Sequence, residues 1–342
     1  MSDANRILVI LPNWFGETLF TTPFLRALRR RHPDAFIAAL GRPACREILL
    51  HNPHVNELLD LDESPVGLAR LVGMLSRSGY YTAFILRPSL TRTLVVALGG
   101  AAQRIGFDNP KSGWALTRRV ASPGAVHKAA SYLPLMGESA SASGLVFDYT
   151  VSDDERREAR ALLAGHGLTD GGPFVILHPG ANWDHKRWPV ERFAQLGSRL
   201  AAAGARIAVT GSPDDSQLAA AVAGGMQQPP VVLAGRTTLR GLAACLEHAA
   251  VVVSNDTGVL HLAAALSRPV IALYGPTSPA LTGPLGDPQR IAVLHHPDCC
   301  PRIPCLEPDR PAHPGMTAIT VDEAYAAACK LLNAEFGMRN SE

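Results

Sequence analysis

Four stretches of the chain place polar side chains where apolar runs end, and their residue types suit the handling of an anion and of a hydroxyl proton. In "VVVSNDTGVLHLAAALSRPV" a β-branched run meets Asn255, Asp256, Thr257 and Gly258, and helical spacing follows. The first N–H groups of a helix lack partners, so such a terminus favours an anion. Gly258 lets a ligand approach the backbone, Thr257 offers a hydroxyl, and His261 lies one turn on, where it can donate to a phosphate oxygen. Simple capping by Asp256 or Thr257 accounts for the same residues. In "HPGANWDHKRWPVERF" Lys186 and Arg187 arrive just before a helix. A lysine there can neutralise a diphosphate as a compact charge, or remain a solvated surface group. In "AVTGSPDDSQLAAAV" Gly211 turns the chain and Asp214 or Asp215 can accept from ribose hydroxyls, or cap the helix that follows.

The fourth stretch, "NWFGETLFTTPFLRAL", holds Glu17 between a glycine and a threonine. A helix N-terminus favours the carboxylate form, so Glu17 is available to take a proton from a hydroxyl at neutral pH. The same stabilisation weakens it as a base, and positioning has to compensate. A first-turn glutamate that complements the helix dipole is the plainer alternative.

These residues need elements to hold them. Short β-rich runs alternate with helical segments, an order that implies parallel sheets covered by helices. Strands are expected at Arg6–Leu11, Ala35–Leu40, Glu57–Leu61 and Tyr81–Leu86, with one helix over Thr18–Arg31, a short one from Glu47 and another over Leu68–Ser78. Small residues in "ESASASGL" and the charged, glycine-bounded "VSDDERREARALLAGHGLTDGG" mark the interdomain connection, which puts a first domain at residues 1–160 and a second at 161–342. The final helix is a candidate to pack back on the first domain. The grammar restarts with strands at Phe174–Leu177, Ala205–Thr210, Val251–Ser254 and Pro269–Tyr274 and helices at Val190–Ala202, Asp215–Ala223 and Gly258–Leu266. Two α/β domains facing a cleft is the expected architecture, with ligands outside the carboxyl ends of the strands.

Composition sets bounds. A length of 342 residues suits two domains, and 47% apolar residues fill their cores. A net charge of +2 with 18% charged residues argues against a nucleic-acid partner. The apolar stretch near the N-terminus is too short for a signal peptide or a membrane span. Six cysteines are few and uneven, which favours a reduced, cytoplasmic setting over a disulfide framework. No G-x-G-x-x-G follows a strand and no G-x-x-x-x-G-K-[ST] occurs, so dinucleotide oxidoreductases and NTPases lose their usual support.

Together "ILVILPNWFGETLFTTPFLRALR", "HPGANWDHKRWP" and "SNDTGVLHLAAALSRPVIALYGPTSP" resemble glycosyltransferase family 9, the ADP-heptose:lipopolysaccharide heptosyltransferases, and most of all the heptosyltransferase II branch. The resemblance spans nearly the whole chain. It implies a GT-B fold of two Rossmann-like domains, an acceptor domain followed by a donor domain. It also implies inverting, metal-independent transfer of L-glycero-D-manno-heptose from ADP-heptose to the inner core, heptose II onto heptose I, with no cofactor. Matched by position, Lys186 contacts the donor diphosphate, Asp256, Thr257, Gly258 and His261 form the phosphate site, and Asp214 or Asp215 meets the ribose. The family's base is usually an aspartate directly after the first-loop glycine; here that position is Glu17, whose extra methylene shifts the carboxylate by about a bond length. The implied acceptor is a lipid-linked sugar bearing Kdo and heptose, with Arg87, Arg92, Lys111 and Lys128 as candidate contacts and the cytoplasmic face of the inner membrane as the place of work. "HHPDCCPRIPCLEPDRPAHPGM" resembles the cysteine-containing C-terminal loop of many members, but with disturbed spacing, so free thiols are expected and no metal. Two other classes remain open: a GT-B nucleotide-sugar epimerase, and a non-catalytic ADP-heptose sensor.

Overall fold

The structure is a computed structural model that describes residues 5–169, 171–300, 302–305 and 313–336. Its chain divides into two compact units, Met1–Thr150 and Val151–Glu342. The boundary expected between residues 160 and 161 falls inside the helix Asp153–Gly165, which belongs wholly to the second unit.

Strands β1 (Arg6–Ile10), β2 (Phe36–Gly41), β3 (Glu57–Asp60), β4 (Thr82–Ile85), β5 (Gln103–Phe107) and β6 (Arg118–Val120) form the sheet of the first unit. That of the second comprises β7 (Phe174–His178), β8 (Arg206–Val209), β9 (Val231–Val232), β10 (Val251–Asn255), β11 (Val270–Tyr274) and β12 (Ile291–His295). Every pairing is parallel. The orders are β3-β2-β1-β4-β5-β6 and β12-β11-β10-β7-β8-β9, the doubly wound order occurring once in each unit. All five residues of β7, of β10 and of β11 are buried. Strands covered on both faces must be apolar without alternation, which is why these runs stand out in the sequence.

In this strand order the direction of winding reverses between β1 and β4, and again between β7 and β10. Loops leaving the carboxyl ends of such neighbours diverge to opposite faces, leaving a crevice between them. Glu17 and Arg87 follow β1 and β4; Lys186 and Asp256 follow β7 and β10.

Several elements differ from the sequence reading. The helix expected over Thr18–Arg31 is two helices, Phe15–Leu19 and Thr22–Arg31. Pro23 has no N–H to continue the ladder, and the hydroxyls of Thr21 and Thr22 bond the carbonyls of Thr18 and Leu19 at 2.7 and 2.8 Å. Gly16 therefore lies inside the first helix, and Glu17 sits in its first turn. The helix Leu90–Leu98 and strands β5, β6, β9 and β12 lacked a clear sequence signal; β5, β6 and β12 include exposed or half-buried residues, and β9 has only two. The final helix, Val321–Phe336, packs on the helix Val190–Ala202 and on β10 to β12 of its own unit. Among the described residues no helix is long and apolar enough to cross a membrane.

The helix Asp153–Gly165 opens with a capping box in which Ser152 and Glu155 exchange hydrogen bonds. Glu155 also takes both sides of the nearly buried Arg240 guanidinium, and Arg156 makes a forked pair with Glu247 at 2.8 and 3.0 Å. These pairs fasten that helix to Leu239–Leu246. The Arg240 bonds, opposed by burial and helped by Ser152, hold the Glu155 carboxyl down at about 2. A carboxylate whose folded value is depressed stabilises the fold above its unfolded value, near 4.3, and loses that contribution as pH falls through the folded value. Stability measured between about pH 4.5 and 2 is therefore expected to fall less steeply in Glu155→Gln than in the parent, from a lower neutral plateau.

Candidate active site

In the first unit, the carboxylate of Glu17 lies between two cations. Oε2 is 3.5 Å from the Arg87 guanidinium and Oε1 is 3.5 Å from the Lys128 ammonium. Oε2 is itself buried and makes no hydrogen bond among the described residues. The ring of Tyr132 is buried close by, and burial, helped by the Glu17 charge, pushes its hydroxyl far above the usual phenol range. Arg87 and Lys128 are partly exposed, so their outer faces can meet a second anion.

Arg92 has a different task from the one expected of it. It is buried, 4% exposed, and donates to the Leu11 carbonyl at 3.0 Å, to Asn13, and to Glu63 at 3.1 and 3.3 Å. Its guanidinium braces the turn that leads into the Glu17 helix and is not presented to a ligand. Lys111 is exposed on the surface and is not part of the Glu17 cluster.

In the second unit, Lys186 Nζ donates to Asp256 Oδ2 at 2.7 Å and lies 5.1 Å above the half-exposed ring of Trp183. Thr277 donates to the same oxygen at 2.7 Å, and His261 Nε2 stands 3.6 Å from Oδ1. Burial opposes ionisation of Asp256, but His261 and Lys186 outweigh it and hold the carboxyl far below the usual range. Asp256 and His261 were both expected to meet a phosphate. At 8% and 4% exposure they are instead interior groups that hold Lys186 in place. Thr257 and Gly258, at the start of the helix Gly258–Ala265, remain half-exposed, and no side chain caps that helix. Its first N–H groups therefore keep the anion-binding character that the sequence suggested.

The ribose candidates separate. Asp215 accepts from the Ser212 N–H at 2.9 Å and the Ser212 hydroxyl at 2.7 Å, and faces Arg187 at 3.8 Å. It caps its own turn. Asp214, fully exposed beside it, is the carboxylate open to a ligand.

Three residues have supporting roles that the sequence reading did not assign. Asn255, fully buried at the end of β10, accepts from the Trp188 N–H at 3.0 Å and donates to the Pro179 carbonyl at 2.8 Å, joining both ends of the loop that carries Lys186. An amide at the end of an otherwise apolar strand was the available signal. Arg187 clips that loop through the Ala181 carbonyl at 3.0 Å and Asp184 at 2.8 Å. His178 is buried against the Thr210 hydroxyl at 3.0 Å, and burial pushes its imidazole down to about 4 despite the Asp215 charge, so it is neutral at pH 7.

Two doubly wound parallel sheets in succession are the architecture of the GT-B class. Residues 68–309 match glycosyltransferase family 9 (heptosyltransferase), and the chain belongs to that family. Lipopolysaccharide heptosyltransferase 2 of Salmonella typhimurium is 29% identical over 320 residues, covering 84% of this chain and 88% of that protein. The solved structure of Escherichia coli ADP-heptose lipopolysaccharide heptosyltransferase II matches with a TM-score of 0.82 and 26% identity over 96% of this chain and 99% of that one. A family 9 glycosyltransferase from Veillonella parvula shares the fold with a TM-score of 0.86 at 24% identity, covering 98% of this chain and 99% of that one.

Removing one partner of a buried ion pair leaves the other uncompensated, at about 3–5 kcal/mol. Asp256→Ala is accordingly expected to lower the thermal midpoint of the second unit by about 10 °C. Asp214→Ala should leave it within about 1–2 °C, since exposed substitutions usually stay within about 0.5 kcal/mol. Differential scanning calorimetry of the two variants checks both.

Proposed function

We propose that the protein transfers L-glycero-D-manno-heptose from ADP-heptose to the lipopolysaccharide inner core, adding heptose II to heptose I with inversion at the anomeric carbon. The observation that carries this reading is Lys186 fixed on Asp256 beside the open helix terminus at Thr257 and Gly258, a built cradle for a diphosphate. Asp214 takes the ribose hydroxyls. The names of the relatives, heptosyltransferase 2 and ADP-heptose lipopolysaccharide heptosyltransferase II, support the donor and the position in the core.

The acceptor hydroxyl attacks the anomeric carbon from the face opposite the diphosphate. Its proton passes to Glu17 as the new glycosidic bond forms and the bond to the diphosphate oxygen breaks. Lys186 and the N–H groups at Thr257 and Gly258 meet the charge that develops on ADP, a preorganised electrostatic contribution. Arg87 and Lys128 orient Glu17 and, on their exposed faces, bind carboxylate or phosphate groups of the lipid-linked Kdo and heptose acceptor. The enzyme works at the cytoplasmic face of the inner membrane.

The test is incubation with ADP-heptose and Kdo-lipid A acceptors carrying no heptose or one, following ADP release and product mass. Transfer to the mono-heptosylated acceptor is expected, and no turnover on any core acceptor rejects the assignment. Epimer exchange without transfer would mark an epimerase, and tight donor binding without either reaction a sensor. Glu17→Gln should lower kcat by about 10²–10⁴ with ADP affinity retained. Glu17→Asp should lose about 10² through misplacement alone. Lys186→Ala should weaken ADP binding and kcat together.

A further inference from the structure

The strongest group of ligating side chains outside the cradle lies behind the loop that follows β11. Ligand atoms of Cys300, Cys305 and His313 fall within 4.8 Å of one another. Cys305 and His313 are buried, at 7% and 1% exposure, and Cys300 is half-buried. Cys299, though adjacent in sequence, is exposed and is not one of the three.

Cys305 and His313 are each fastened to the surrounding fold. Cys305 donates its N–H to the Pro276 carbonyl at 2.7 Å. His313 caps the helix Pro314–Ala318, its Nδ1 accepting from the Gly315 N–H at 3.1 Å. That helix is pressed against Gly275, where an added Cβ would come within 2.5 Å of the Met316 side chain. Only a glycine fits, and the close approach brings His313 to the end of β11. The Cys300 thiol donates to the Arg302 carbonyl at 3.3 Å, so the sulfur is oriented by its own turn.

We propose that Cys300, Cys305 and His313 bind a thiolate-preferring divalent ion, zinc, as a structural clamp on this loop. Two sulfurs and an imidazole are the donor set for which zinc is suited, with bonds of about 2.3 Å to sulfur and about 2.0–2.1 Å to nitrogen. Ligand atoms around a tetrahedral ion of that size stand about 3.5–3.8 Å apart, so closure requires a contraction of at most about 1 Å. The two thiol protons leave to solvent on binding. A neutral imidazole has one lone pair, so on binding the bond to the ion replaces the one that His313 Nδ1 accepts from the Gly315 N–H. A water completes the coordination as the fourth ligand. The ion acts on the cradle at one remove: Pro276 is tied to Cys305, and its neighbour Thr277 donates to Asp256. It is a brace for that loop and takes no part in the sugar transfer.

The experiment uses the full chain, purified in reducing buffer without chelator and then dialysed against zinc. Mass spectrometry of the metal should return about one zinc per chain, and titration should release about two protons per ion bound at a pH below the thiol range. Cobalt substituted for zinc should give a thiolate-to-cobalt charge-transfer band and the intense visible bands of a tetrahedral site. Cys305→Ser and His313→Gln should each weaken the ion by at least about tenfold, and Cys45→Ser, in the other unit, should keep it. The cobalt spectrum and zinc content of the unsubstituted protein hold as tests even where a variant fails to fold. Zinc below about 0.1 per chain with Cys300 and Cys305 both free to a thiol reagent overturns the proposal. So does a protein 2 Da lighter than its reduced mass, with these two cysteines joined to each other.

Discussion

The second unit is organised around one contact, the 2.7 Å ion pair between Lys186 and Asp256. Two charges taken out of water carry a desolvation penalty that their mutual attraction offsets only with additional hydrogen bonds. Thr277 and His261 supply these on the carboxylate, and the Trp183 face covers the ammonium. The lysine is thereby held in one rotamer beside the open helix terminus before any ligand arrives. A freely rotating lysine would lose up to about 2 kcal/mol of side-chain entropy on binding a phosphate; this one has lost much of it in folding. Asp256 and His261, which the sequence suggested as ligand contacts, are buried, with Lys186 paired to Asp256 and His261 3.6 Å from the same carboxylate.

The two units reach comparable arrangements by the same route. In each, neighbouring parallel strands send their loops apart at the point where the winding reverses, and a charged pair straddles the gap: Glu17 with Arg87 after β1 and β4, Lys186 with Asp256 after β7 and β10. Both pairs join residues about 70 apart in sequence. Buried framework groups then fix the loops. Arg92 ties Leu11 and Asn13 in the first unit, and Asn255 ties Pro179 and Trp188 in the second.

A glutamate proposed as the base needs a carboxylate held by something other than its short backbone leash. Arg87 and Lys128 do this, each 3.5 Å from a different oxygen. The extra methylene relative to aspartate lengthens the reach from the helix Phe15–Leu19, and the two cations limit where that reach can go. The loop after β11 is tied at two neighbouring residues, Pro276 accepting from the Cys305 N–H and Thr277 donating to Asp256.

Much of this was legible in the chain. Runs such as Val251–Asn255 and Val270–Tyr274 read as doubly covered strands because burial on both faces removes any alternation, and the turns at their ends displayed Glu17, Lys186, Thr257 and Gly258. Motif resemblance extended that reading to the family. The sheet-edge strands β6, β9 and β12 were not legible, since short or half-exposed strands have no strong period, and neither was the break at Thr21–Pro23, where helical spacing runs on through a change of axis. What the sequence determined by itself was which residue types stand at strand ends, because local periodicity and turn chemistry act over a few residues. Only the tertiary structure decided which of those groups face a ligand and which face each other. Asp256 and His261 turn inward to Lys186, Arg92 turns to the Leu11 loop and Asp215 to Ser212, because hydrogen bonds between distant segments and the desolvation of buried charge are settled only when the strands have paired.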